Sequence, residues 1–123
     1  MLPPTPTDRA IIRSIIECQL EAFGRDDSAE AFAFASPRIQ AQFGTPENFM
    51  QMVKMGYSPI YHPRAVMFQD IAFVEDMPAQ KVLLMGTDGE LVMALYLMQK
   101  QPDGSWRIHG CFLVPVEGNS LEP

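Results

Sequence analysis

Between Tyr57 and Arg64 the chain reads Tyr57-Ser58-Pro59-Ile60-Tyr61-His62-Pro63-Arg64, bringing two phenols, an imidazole and a guanidinium into one short stretch. Such groups donate, accept and exchange protons, so Tyr57, Tyr61, His62 and Arg64 are candidates for the rim of a small-ligand pocket. The competing reading packs both tyrosine rings under a crossing loop and leaves His62 facing water. Asp70 also has two readings. A carboxylate in an apolar pocket acts as a base with a raised pKa, whereas Gln69-Asp70 in an apolar strand marks a bulge or an exposed edge where charge opposes stray pairing. His109, between Arg107 and Cys111, has no neighbouring acid in sequence to orient it, which favours a hydrogen-bonding residue of core or interface over a base.

Other reactive types lack a pattern. Cys18 and Cys111 are too few and too far apart for a disulfide scaffold or a zinc site, and no nucleophile motif surrounds either one. Met50, Met52 and Met55 are close in sequence, but 100° per residue turns Met50 away from Met52, so they read as core filling and not as a copper site. Gly86-Thr87-Asp88-Gly89 is a hairpin turn, not a phosphate cradle. The expectation is no metal and no cofactor.

Composition narrows the classes further. The 123 residues are 47% hydrophobic and 20% charged, enough apolar material for one packed domain over 1–123, with an ordered core at about 5–116 and a polar tail at 117–123. Nine Lys and Arg against fifteen Asp and Glu leave a net charge of -6, which offers no basic field to nucleic acid or anionic lipid. No apolar run approaches a membrane span or a secretory core, so a soluble, cytoplasmic protein is expected.

The elements that must position these groups are well punctuated. Thr5-Pro6-Thr7-Asp8 opens a helix whose Ile12, Ile16, Leu20 and Phe23 share a buried stripe, with Arg13, Glu17, Glu21 and Arg25 on the wet side. Asp27 and Glu30 cap a second piece, Arg38 to Phe43 reads as another turn or two, and Thr45-Pro46-Glu47 opens a third helix that Gly56 stops. Tyr57 to Pro63 reads as an extended crossing. Four apolar runs follow, Val66 to Val74, Lys81 to Met85, Leu91 to Met98 and Trp106 to Val114, separated by hairpin turn chemistry.

Strand alternation assigns the faces. Trp106, Ile108, Gly110, Phe112 and Val114 form a wholly apolar set that should meet the helices, together with Phe32 and Phe49. The third strand is apolar on both sides, and the helices can cover only one. Tyr96, Met98, Val82 or Leu83, His109 and Cys111 are therefore expected on a second face, buried in a two-fold homodimer.

Helices followed by an antiparallel meander resemble the cystatin-like α+β roll of the nuclear transport factor two and ketosteroid isomerase superfamily. Four segments together are similar to a family of small bacterial proteins known as domain of unknown function four-eight-six-four: Ala31-Phe32-Ala33-Phe34-Ala35-Ser36-Pro37, Phe43-Gly44-Thr45-Pro46-Glu47-Asn48-Phe49, Gly56-Tyr57-Ser58-Pro59 and Gly104-Ser105-Trp106-Arg107. The resemblance implies N-terminal helices on a curved four-stranded antiparallel sheet, with a cone between them large enough for a ligand. It implies no catalytic residue. The expected function is a non-catalytic module for a small apolar ligand or a protein partner, and the alternative is an isomerase- or hydratase-like enzyme using a pocket carboxylate or histidine.

Overall fold

The computed structural model describes residues 3–116, and the polar tail at 117–123 lies outside the described residues. Helix α1 (Pro6–Gly24) begins with a reciprocal cap: Thr5 accepts the Asp8 N–H and Asp8 accepts the Thr5 N–H. Asp27 accepts the Glu30 N–H at the start of α2 (Ser28–Ala33). Ser36 and Thr45 cap α3 (Pro37–Phe43) and α4 (Pro46–Gly56) in the same way, each with a proline in the first turn, where its missing N–H has no partner to lose. The segment expected to be extended contains instead a one-turn helix, α5 (Ser58–Tyr61). Pro59 sits in that first turn, so the residue type that argued for extension is compatible with a helical start.

The sheet is a meander of β1 (Ala65–Val74), β2 (Met77–Met85), β3 (Leu91–Lys100) and β4 (Trp106–Pro115), every neighbouring pair antiparallel. Helices lie on one face of it, an α+β fold in the form of a roll. β2 starts earlier than its apolar run because Glu75 and Asp76, both at positive φ (49° and 69°), make a two-residue hairpin turn. Pro78 is tolerated there because it precedes the first β2–β3 pair, Ala79 with Leu97.

Val82, Leu84, Ala94, Tyr96 and Met98 are each at most 1% exposed and share a core with Ile12, Ile16 and Phe23 of α1. Phe32, Phe49, Trp106 and Ile108 join that core, and Leu20 is partly buried against it. Phe112 does not: it is 53% exposed, and Val114 is 38% exposed. The cause is a one-residue bulge at His109. Leu97 pairs with Gly110 but Met98 pairs with Ile108, so the alternation of β4 reverses and Cys111 and Leu113 turn inward while Phe112 and Val114 turn outward. This corrects the face expected to be open. Tyr96, Met98, Val82 and Cys111 lie under the helices, and the uncovered face carries Met67, Leu83, Met93, Leu95, Phe112 and Val114.

A second bulge, between Phe68 and Ile71, holds Gln69 and Asp70. The buried Gln80 amide donates to the Gln69 carbonyl at 2.7 Å, and Lys81 pairs with Asp70 at 3.7 Å. Of the two readings of Asp70, the structure takes the bulge.

Candidate functional site

A cavity of about 400 Å³ opens between the helices and the β3–β4 half of the sheet. Its existence follows from how the aromatic residues of the helical layer pack. Phe49 of α4 meets Phe23 at 6.1 Å, Phe32 at 5.4 Å and Phe43 at 5.7 Å between ring centroids, a rigid cluster that props α3 and α4 above the sheet. On the opposite wall Ala35 and Gly110 bring little bulk, so the gap is not filled. Ile39, Met52, Val53 and Ile60 line the sides, and exposed Gln42 and Phe112 stand at the mouth.

Polar groups on the wall are few and neutral. Gln19, only 3% exposed, donates its amide to the Ala31 carbonyl at 3.1 Å. The Tyr57 hydroxyl donates to the Cys111 carbonyl at 3.1 Å. Tyr96, 1% exposed, has no hydrogen-bond partner for its hydroxyl. Burial pushes the Cys111 thiol up to about 12, and burial, then the nearby Cys111, raises both Tyr57 and Tyr96. Cys111 keeps some accessible surface because it faces the cavity. All three groups stay protonated at neutral pH and supply neither a base nor a nucleophile.

Ser36 fastens this wall together. It is fully buried; its Oγ lies 2.8 Å from His109 Nδ1 and accepts the Ile39 N–H, and its own N–H donates to the Ile108 carbonyl at 2.8 Å. With Ile108 N–H donating to the Phe34 carbonyl, the start of α3 is tied to β4 beside the bulge. His109 is thus a structural hydrogen-bonding residue and does not line the cavity.

The four residues of the Tyr57–Arg64 stretch are not brought together. Tyr57 closes α4 and lines the cavity. Tyr61 is carried by α5 to the loop after α1, where its hydroxyl donates to Asp26 and Lys54 lies 5.3 Å from its ring. That bond, and next Lys54, lowers the Asp26 pKa, while the same bond raises that of Tyr61. His62 is exposed, edge-on to Tyr61 at 4.0 Å, and Arg64 is exposed beside the turn at Gly89. Asp70 is on β1, outside the cavity, with its side chain 72% exposed. The methionines diverge as the helical angle requires: Met50 is buried, Met52 lines the cavity and Met55 is 78% exposed. Among the described residues no three His, Cys, Asp or Glu cluster as a metal site would.

Sequence reading missed Gln19, Ser36 and the inward Tyr96. Gln19 carried a usable signal: it falls on the stripe of Ile12, Ile16 and Phe23, where a polar residue must find a buried partner.

Fold and site define a helix-covered antiparallel roll with a neutral, mostly apolar cavity between its layers. Within that class the chain belongs to the family described as Domain of unknown function (DUF4864), whose model matches residues 5–121. No curated protein and no solved structure matches the chain.

Proposed function

We propose that this chain is a non-catalytic binding module that takes a small apolar ligand between its helices and its sheet. The observation that carries this reading is the cavity itself, about 400 Å³ with mostly aliphatic and aromatic walls and, among the described residues, no Asp, Glu, His, Lys or Arg on its lining. That volume falls within the roughly 300–1,000 Å³ of ordinary ligand sites. An isomerase or hydratase needs a base and an oriented partner converging on one reacting atom. Asp70, His62 and His109 all lie off the cavity wall and apart from one another. The order of helices and meander also supports placing the chain in the nuclear transport factor two-like superfamily.

The test uses the neutral dye N-phenyl-1-naphthylamine. Its fluorescence should rise on binding with one site per chain, and Met52→Trp, which fills the cavity, should abolish the rise while the protein still melts cooperatively. Dye binding indifferent to Met52→Trp refutes the reading.

The open sheet face supports a second element of the proposal, a two-fold contact with another copy of this chain. Three ten-residue strands and one of nine, at spacings of about 4.8 Å and 3.3 Å, present about 600 Å² per copy, so a pair would bury about 1,200 Å², the lower bound of stable interfaces. Lys81 on that face is already paired with Asp70, so opposed copies meet without a row of like charges despite the net charge of -6.

A further inference from the structure

Tyr96 brings an unpaired hydroxyl to a mostly apolar cavity lining. This hydroxyl belongs to a residue 1% exposed in the middle of β3, bordering the cavity, and it is the one buried side-chain polar atom among the described residues without a hydrogen-bond partner. Two other polar groups of the lining residues are committed elsewhere: the Tyr57 hydroxyl donates to the Cys111 carbonyl, and the Gln19 amide donates to the Ala31 carbonyl. Buried hydroxyls are almost always paired, so an orphan beside a cavity points to a partner that arrives from the cavity. We infer that the ligand is a neutral molecule with an apolar body and a single hydrogen-bond acceptor, a ketone, ester or ether oxygen, seated on the Tyr96 hydroxyl.

Three features fix that class. Burial keeps the Tyr96 phenol protonated far above neutral pH, so what it offers is an O–H. Among the described residues the cavity wall has no cation to neutralise a carboxylate or phosphate and no anion to neutralise an amine, so a charged head would be buried unpaired. A pure hydrocarbon would leave the hydroxyl as it stands. Recognition therefore divides between a large apolar contribution from Phe43, Phe49, Met52 and Ile108 and one directional bond that sets the orientation.

This inference rests on the binding reading, and the experiment separates the two. Three probes compete with N-phenyl-1-naphthylamine at pH 7: 2-acetylnaphthalene, its same-shaped hydrocarbon 2-isopropenylnaphthalene, and 2-naphthoate. Tyr96→Phe should weaken the ketone about tenfold, equivalent to about 1.4 kcal/mol, and leave the hydrocarbon within about twofold. Because the substitution removes an unpaired buried hydroxyl, the variant should melt no lower than the wild type, which excludes misfolding as the cause. In the wild type 2-naphthoate should bind at least about a hundredfold more weakly than the ketone. Equal effects of Tyr96→Phe on the two neutral probes, or naphthoate binding as tightly as the ketone, overturns the inference while leaving a binding cavity in place. Failure of both neutral probes to compete overturns the binding reading itself.

Discussion

Val82 and Leu83 are consecutive residues of β2 with nearly the same chemistry, and they meet different surroundings. Val82 is fully buried beneath the helices, whereas Leu83 pairs with Met93 and Met67 on the uncovered side. The same contrast runs across the sheet: one face is covered by the helices around a cavity, and the other is a plain of Leu, Met, Phe and Val that no helix of the described residues covers. Apolar composition alone therefore does not say where the core is. Strand parity says it, and two bulges change the parity.

The sharpest break of that comparison is a charge placed on each side. Val82→Asp buries an unpaired carboxylate and should cost more than about 4 kcal/mol, removing the cooperative thermal transition and the sheet signal in circular dichroism. Leu83→Asp, one residue along, should keep both. A Val82→Asp protein that melts within a few degrees of wild type would mean the helices do not seal this face.

Association probes the open side directly. Light scattering at tens of micromolar should give the wild type twice the 13.8 kDa of one chain, and Leu95→Asp, in the centre of the open face, should return it to a single-chain mass with its fold intact. Opposed aspartates across a two-fold contact would cost several kcal/mol of association. A monomeric wild type ends the second-copy proposal and leaves the cavity reading untouched.

Much of this architecture was legible because its signals are local. Thr5, Asp27, Ser36 and Thr45 with their following prolines or acids announce helix starts that depend on neighbours three residues away. Asp70 announced its bulge, since a charge in an apolar run needs a reason. The bulge at His109 gave no comparable sign, because Trp106, Ile108, Gly110, Phe112 and Val114 satisfy strict alternation perfectly well. What overrides that pattern is tertiary: Ser36 and the Phe34 carbonyl hold Ile108 and His109 from a different layer of the fold. The candidate site suffered the same loss. Tyr57 reaches the cavity, but Tyr61 answers to Asp26 across a long sequence separation, and Tyr96 faces inward only because the helices sit on that side.

Ser36 therefore offers a finer cut between the faces, since it holds β4 in the register that sorts Cys111 inward and Phe112 outward. Ser36→Ala removes the His109 bond and the cap on α3 together, an expected loss of about 1–2 kcal/mol and a melting temperature lower by several degrees. Ser14→Ala, on the exposed side of α1, should change stability by less than about 0.5 kcal/mol. Equal stability of the two variants would show that the register does not depend on this tie.

The smallest effect separates the faces by pH. Cys111 and Tyr96 are on the covered side, and the open face, among the described residues, carries neither thiol nor phenol. Burial raises the Cys111 thiol from 9.0 to about 12, so between those values the folded chain keeps a proton that the unfolded chain has released. The unfolded state binds fewer protons there, and stability must fall as pH rises. The contribution is fully present below pH 9 and is lost as pH climbs toward 12, at no more than about 1.4 kcal/mol per pH unit. By pH 10 the loss is about 1.4 kcal/mol, read as a lower urea midpoint than at pH 8. Tyr96 adds a loss of the same sign above pH 10. Other phenols and lysines also titrate in this range, so the measurement is the difference between wild type and Cys111→Ala, whose midpoint should fall less from pH 8 to 10. Parallel midpoint curves for the two chains would place the Cys111 thiol in contact with bulk water and the cavity wall in a more open arrangement than the one described.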